Sequence, residues 1–284
     1  MPSLLDIRRR IRSVKNTQQL TKAMKTVSAA KLRRAQERVF SARPYAGQLK
    51  KVLGNLTGRL ENISHPLLEV RPEDRILFVI VTADRGLCGA FNSNILRAAT
   101  AFLRDHTGQS VSLATVGRKG RDLFRRRGIA IRSEFVNIFS KLDYGNARDI
   151  AEVVVQAYTD AEIDAVYIIY NEFKSVIQQR VVIEKVLPLS RGDLQQTEAQ
   201  IDYIFEQPPQ EIFNRLLPRY VEIQIYRALL ESAASEHGAR MASMDTASRN
   251  AGDMIDLLTL NMNRNRQAAI TREIIEVVSG AGAL

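Results

Sequence analysis

Chemistry-bearing residues concentrate in one short stretch, Thr82-Ala83-Asp84-Arg85-Gly86-Leu87-Cys88-Gly89. It follows an apolar run, RILFVIVT from Arg75 to Thr82, and open α/β sheets bind ligands at the carboxyl ends of such strands. A carboxylate and a guanidinium beside two glycines can hold an anion or relay a proton. The same pattern suits a tight turn in which Asp84 caps the next element. The surrounding sequence adds little to a catalytic reading. There is no G-x-x-x-x-G-K-[ST], Gly86, Gly89, Gly117 and Gly120 do not form a dinucleotide fingerprint, and no G-x-S-x-G occurs. His65, His106 and His237 are far apart in sequence and lack metal-ligand spacing, while the single cysteine, Cys88, excludes an internal disulfide or a cysteine-rich metal cage. The expectation is a chain with no catalytic residue, no metal and no cofactor.

The elements that would position the loop alternate in type. Arg75 to Thr82 reads as a buried strand, Asn92 to His106 as a helix, Ser110 to Val116 as a strand, Arg118 to Arg127 as a basic helix, Asn146 to Thr159 as a further helix, and Ala165 to Tyr170 (AVYIIY) as a third buried strand. Val176 to Val186 alternates and carries charges, which suits an edge or antiparallel strand. Strand alternating with helix predicts a Rossmann-like three-layer α/β domain with a mainly parallel sheet, over about residues 66–190.

This domain interrupts two helical stretches. Residues 1–60 read as one helix, with Ser3 able to cap it and a stripe Ile7, Ile11, Val14, Gln18, Thr21, Met24, Ser28, Leu32, Ala35 and Val39 stepping by three and four. Pro44 predicts a bend near Arg43, and Gly54 and Gly58 predict fraying. Residues 191–207 are polar connecting chain. From Pro208 and Pro209 to about Ser279, residues 208–284 read as a second helix, with Pro218 as a further bend; about 70 helical residues would span on the order of 100 Å. Few globular domains hold such a helix alone. An insert that leaves one helix and returns to the other makes the two an antiparallel coiled coil, the second overhanging by about 15 to 20 residues. Ala228, Ser232, Ser235, Gly238, Ala239, Ala242, Ala247 and Ala251 are expected on the face toward the first helix, and Met241, Met244, Met254 and Met262 supply adaptable contacts.

The charge is as uneven as the architecture. The chain of 284 residues carries a net +10, from 41 Lys and Arg against 31 Asp and Glu. Residues 1–60 hold fifteen of the bases and only Asp6 and Glu37 as acids, so that stretch is +13 and the remainder is −3. Such an arm suits an acidic partner. Nucleic acid is disfavoured, because no aromatic residue for base stacking occurs between Met1 and Val39. The start, MPSLLDIRRR, has no apolar stretch of signal-peptide length, and no window approaches about 18 uncharged apolar residues, so no membrane span is expected and attachment to a membrane complex would be peripheral.

Three motifs in order carry a resemblance. Asn16-Thr17-Gln18-Gln19-Leu20-Thr21-Lys22-Ala23-Met24, the loop Asp84-Arg85-Gly86-Leu87-Cys88-Gly89, and Ile270-Thr271-Arg272-Glu273-Ile274-Ile275-Glu276-Val277-Val278-Ser279-Gly280-Ala281 resemble the gamma subunits of F-type ATP synthases, over the whole chain. The resemblance implies a non-catalytic central rotor shaft that couples proton-driven rotation of the c-ring to ATP synthesis or hydrolysis on alpha and beta subunits. It implies one copy per complex, partners in alpha, beta, epsilon and the c-ring, with delta in the same complex, and a peripheral place on the cytoplasmic side of the cell inner membrane. Carried over by motif, contacts with beta fall on Lys22, Met24, Lys25, Arg240, Gln267, Thr271, Glu273 and Glu276, and contacts of the foot with epsilon and the c-ring on Tyr203 and Phe205. Lys22 and Lys25 would face acidic loops, and Gln267 and Thr271, four apart, would offer exchangeable neutral hydrogen bonds. Chloroplast members carry a redox-active cysteine pair; Cys88 alone cannot form one, so no thiol switch is expected. The lack of a visible presequence favours a bacterial protein.

Overall fold

The run RILFVIV carries its one charge on its first residue, and only a strand covered on both faces tolerates the six apolar residues that follow. In the computed structural model, which describes residues 4–59, 65–176, 178–190 and 208–281, it is the central strand of a five-stranded sheet. Ten elements are named below: α1 (Leu4–Arg59), β1 (Arg75–Val81), α2 (Phe91–Asp105), β2 (Ser110–Val116), α3 (Arg118–Arg126), β3 (Ile131–Phe135), α4 (Tyr144–Thr159), β4 (Ala165–Phe173), β5 (Gln179–Leu187) and α5 (Pro209–Ala281). Short 3-10 turns occupy Pro66–Leu68 and Ile138–Ser140. The strands lie in the order β3-β2-β1-β4-β5; β1 is parallel to both β2 and β4, and β5 runs antiparallel to β4.

By contacts the chain divides into two compact units, Ala29–Ala239, and Met1–Ser28 together with Arg240–Leu284. In the first, alternate residues of β1 feed two cores, as a strand's period of two requires. Ile76, Phe78 and Ile80 pack with Phe91, Ile95, Ala99 and Phe102 of α2 and Phe124 of α3. Leu77, Val79 and Val81 pack with Ile150 and Val154 of α4, Leu53 and Leu56 of α1, and Phe213, Val221 and Leu229 of α5. The result is the expected three layers. Arg75 fastens β1 to the start of β4 through a two-pronged contact, its Nε and Nη2 donating to the Asp164 carboxylate at 3.0 and 2.7 Å, while its backbone N–H donates to the same group at 3.0 Å.

In the second unit α1 and α5 run antiparallel. Lys25 Nζ lies 2.6 Å from Asp245, and Gln18 Nε2 donates to the Ser248 carbonyl at 3.4 Å, so the partner number falls as the α1 number rises. The stripe predicted on α1 is the buried or half-buried one throughout this unit, from Ile7 to Ser28. On α5 the matching stripe is Met244, Ser248, Ala251, Ile255, Leu258 and Met262, again by threes and fours. Continuing this register places Leu4 opposite about residue 262 to 266, so about 15 residues of α5 extend past the described part of α1.

Four details differ from expectation. Strand β3, IRSEF, is too short and too polar to stand out in the sequence. Helix α4 starts two residues early, because Asp143 and Asn146 form a reciprocal capping box. Strand β4 continues three residues past Tyr170, since Asn171 to Phe173 still pair with β5. Helix α1 does not fray at Gly54 but runs to Arg59, held by the fully buried Leu53 and Leu56 and by a Thr57 hydroxyl donating to the Leu53 carbonyl at 2.7 Å. Pro44 lies within the helix and is exposed. The cap assigned to Ser3 lies outside the described residues.

Two measurements check this fold. Gly117 has φ +88° and a Cβ there would sit 2.0 Å from the Thr82 carbonyl oxygen, so Gly117→Ala is expected to lower stability by about 2 kcal/mol or more in chemical denaturation. The hydrogen bonds from Arg75 hold the Asp164 carboxyl below the usual carboxylate range. A depressed folded-state pKa contributes stability above the unfolded value and loses it as the pH falls through the folded one. Between about pH 5 and pH 2 the parent chain should therefore lose stability more steeply than Asp164→Asn; equal slopes would remove this pair from the acid response.

Candidate functional site

The loop after β1 turns out to be spent on internal hydrogen bonds. Thr82 Oγ1 donates to the Val116 carbonyl at 3.0 Å and accepts from the Gly120 N–H at 2.9 Å, closing the ends of β1 and β2 over the start of α3. Asn92 Oδ1 accepts from the Ala83 N–H at 2.9 Å. Asp84 Oδ1 accepts from two backbone N–H groups, Arg118 in the first turn of α3 at 3.1 Å and Asn137 at 3.0 Å. A carboxylate at a helix N-terminus is favoured by the free N–H groups and the helix dipole. Of the two readings of Asp84, the geometry matches the cap. Arg85 and Leu87 are exposed, and Cys88 is buried with Asn92 Nδ2 3.2 Å from its Sγ. The sulfur therefore packs inside the turn.

The order β3-β2-β1-β4-β5 places a switch point between the carboxyl ends of β1 and β4, where a doubly wound sheet opens a crevice for ligand. Here the chain itself fills the end of β4. Ser235 Oγ of α5 donates to the Asn171 carbonyl at 3.0 Å, and the Phe173 N–H donates to Glu231 Oε2 at 3.1 Å. Asn171 Nδ2 reaches the Phe91 carbonyl at 3.3 Å. At Gly238 a Cβ would lie 3.2 Å from the Phe173 ring, and Ala239 joins the core containing Cys88 and Phe91. This corrects the expected role of the small residues: Ser235 and Gly238 face the sheet domain, not α1. Met254, expected as an adaptable contact, is 52% exposed, whereas Met244 is buried.

The histidines have structural surroundings. His65 Nδ1 accepts from the Leu67 N–H at 3.1 Å, and burial pushes its pKa down. His106 stacks on Phe102 at 3.9 Å between ring centres. Among the described residues no group of three His, Cys, Asp or Glu could hold a metal ion.

The residues expected to meet a partner lie in the unit of paired helices. Lys22 is exposed and Met24 half-buried on α1; Arg240 is half-buried on α5; Gln267, Thr271, Glu273 and Glu276 are exposed on its final turns. The Lys25 ammonium is committed to Asp245, which Arg249 also approaches at 3.3 Å, a pairing that sequence spacing on α1 alone could not reveal. The Thr271 hydroxyl donates to the Gln267 carbonyl at 2.9 Å and keeps its acceptor lone pairs, and both side chains are exposed. Interleaved with Glu273 and Glu276 are bare apolar side chains, Ile274, Ile275, Val277 and Val278, with Val277 71% exposed. Tyr203 and Phe205 lie outside the described residues. Among the described residues no helix is long and apolar enough to cross a membrane.

Fold and site together define an α/β domain bracketed by two chain-terminal helices that pair with each other, with the sheet's ligand position taken by one of those helices. Residues 3–284 match the family described as ATP synthase. The ATP synthase gamma chain of Solibacter usitatus is 55% identical, covering 100% of this chain and 99% of its own length, and that of Pelotomaculum thermopropionicum is 51% identical with both chains covered completely. The central stalk of the Tetrahymena thermophila mitochondrial ATP synthase aligns with a TM-score of 0.62 at 30% identity, over 81% of this chain and 99% of that one. A chain of the Euglena gracilis mitochondrial ATP synthase shares the fold at a TM-score of 0.70 and 18% identity, over 99% and 94%. The chain belongs to the ATP synthase gamma chain family.

If Asp84 is a cap, Asp84→Ala should lower stability by about 1 to 2 kcal/mol in urea denaturation, the usual effect of losing a cap with two backbone donors, and Asp84→Asn by less.

Proposed function

We propose that the chain is the central rotor shaft of an F-type ATP synthase, one copy per complex, which transmits rotation of a proton-driven c-ring to catalytic sites on alpha and beta subunits and performs no catalysis itself. The observation that carries this reading is the end of α5: a helix whose exposed side chains include Ile274, Ile275, Val277 and Val278 as well as Glu273 and Glu276, in a chain matched end to end by gamma chains. A helix apolar on exposed positions requires a surrounding surface. A ring of alpha and beta subunits supplies one, and a partner that slides against it is best served by a mixture of apolar groups and weak polar contacts. The filled crevice at β4 supports a non-catalytic role, because the position an α/β enzyme reserves for substrate is occupied by Glu231, Ser235 and Gly238.

In this reading the chain works in three parts, residues 1–60 and 208–284 as the coiled coil and residues 66–190 as the foot. Lys22, Met24, Lys25, Arg240, Gln267, Thr271, Glu273 and Glu276 meet beta, and Tyr203 and Phe205 lie toward epsilon and the c-ring. The basic excess of residues 1–60 faces acidic loops of the ring. Lys25 takes part only by exchanging Asp245 for a carboxylate on beta, an exchange made easy by the exposure of the pair. Delta belongs to the same assembly, which sits peripherally on the cytoplasmic face of the cell inner membrane.

Two tests follow. Alpha and beta subunits with ATPase activity should co-purify with the tagged full chain; their absence would sink the assignment. Thr271→Ala with Glu273→Ala removes two exposed groups at roughly 0.5 kcal/mol or more each, so ATP synthesis in membrane vesicles should fall about fivefold at an unchanged proton gradient. Unchanged synthesis would release both residues from the contact.

A further inference from the structure

A cavity of about 560 Å³ opens within the Ala29–Ala239 unit, between α1, the first turns of α4 and the early part of α5. Its walls are mainly apolar and aromatic: Val39, Tyr45, Tyr144, Ile223, Tyr226 and Leu230. Tyr144 and Tyr226 meet edge to face at 5.6 Å between ring centres. Volume and composition are those of a small-molecule pocket.

The charges on its rim do not balance. Six ionisable side chains other than tyrosine line it, four arginines and two glutamates. Both glutamates are occupied: Glu222 accepts from the Tyr144 hydroxyl at 2.5 Å, and Glu231 accepts from the Phe173 N–H and faces Arg43 at 3.7 Å. Of the arginines, Arg43 has Glu231 and also lies over the Phe40 ring, and Arg227 donates to Glu184 at 2.6 Å while its buried Nε meets no acceptor. Arg148 and Arg219 are exposed, and among the described residues neither makes an ion pair or a hydrogen bond. Two guanidiniums without an ion pair or hydrogen bond among the described residues thus stand at the mouth of an apolar chamber, Arg219 within electrostatic reach of Tyr144, beside a third with an unused buried donor.

We propose that this cavity binds a small organic anion, a carboxylate or phosphate monoester on an apolar body of about ten carbons, with Arg148 and Arg219 receiving the headgroup and the tyrosine-lined walls receiving the body. A cation is excluded by the surplus positive charge, and a bare anion would leave the walls wet. Guanidinium accepts both headgroups bidentately, so the geometry selects the charge and the amphipathic character rather than the oxyacid. Because α1, α4 and α5 each contribute a wall, an occupied cavity ties all three together and raises the unfolding temperature of the chain.

Calorimetric titration of the full chain with decanoate and with decyl phosphate, each below its micelle threshold, tests this. One saturable site per chain is expected for at least one of the two; binding of only one assigns the headgroup. Arg148→Gln with Arg219→Gln should weaken binding tenfold or more while leaving the unfolding temperature without probe unchanged, since both side chains are exposed. Inorganic phosphate and decyltrimethylammonium should not displace the probe. No saturable binding, equal binding of the ammonium probe, or undiminished binding by the folded double variant would each overturn the proposal. So would binding to the isolated chain that disappears in the assembly purified with it, because the cavity would then be the seat of a protein segment.

Discussion

Helix α5 is held against the carboxyl end of β4 by a pair of hydrogen bonds, Ser235 to the Asn171 carbonyl and the Phe173 N–H to Glu231, with Asn171, Glu231 and Ser235 buried. Much else follows from that seam. The helix can approach only because Gly238 and Ala239 carry little or no side chain where the Phe173 ring and the core around Cys88 and Phe91 lie. Buried backbone groups at the end of a strand need partners, and supplying them from α5 removes the opening that a doubly wound sheet otherwise offers to ligand. A carboxylate placed there would be costly alone; Glu231 has the Phe173 N–H and the Arg43 guanidinium to offset it. The sheet domain is thereby used to grip a helix, and its most reactive-looking loop, around Asp84, becomes the brace that ties β1 to α3.

The basic excess divides in a comparable way. Of the bases on α1 in the helical unit, Lys25 is held by Asp245, while Arg8, Arg9, Arg10, Arg12, Lys15 and Lys22 stay exposed. Like charges so close on one helix repel, and no acidic residue except Asp6 accompanies them on α1 before Glu37. Repulsion of this kind lowers the stability of an isolated helix and is relieved by an acidic surface, so charge and apolar exposure at the end of α5 make the same demand from opposite strands of one pair.

How legible this was depended on the element. Strands β1 and β4 announce themselves because burial on both faces leaves them no polar residue over most of their length, and the α1 stripe from Ile7 to Val39 is buried or half-buried at every step of its three-and-four spacing. Strand β3 hid because IRSEF has two charges in five residues, the mark of an edge. Helical period says which residues share a face but not what that face meets, so it does not show that Ser235 and Gly238 meet the sheet domain instead of α1. The partner of Lys25 was likewise invisible until the register of the pair was set by Gln18 and Ser248. At the Asp84 loop the residue types were right and the role open, since a cap and an anion site use the same groups.

The seam between the paired helices is itself unusually polar. On α1 the buried positions Thr21 and Ser28 alternate with half-buried Gln18 and Lys25, and on α5 they meet a stripe containing Ser248, Ala251 and Gly252. The Thr21 hydroxyl satisfies itself on the Gln18 carbonyl at 3.0 Å instead of reaching across, and Gly252 leaves just enough room for the Gln18 amide, 3.1 Å from where a Cβ would be. Short side chains bury little apolar area, so each turn of this seam contributes less than a Leu-based coiled coil would. What it gains is slenderness and the absence of interlocking knobs. A pair of helices held weakly to each other yet apolar on the outside has more to gain from an enclosing surface than from its own seam, which is the arrangement expected of a shaft whose order is completed by the ring it turns in.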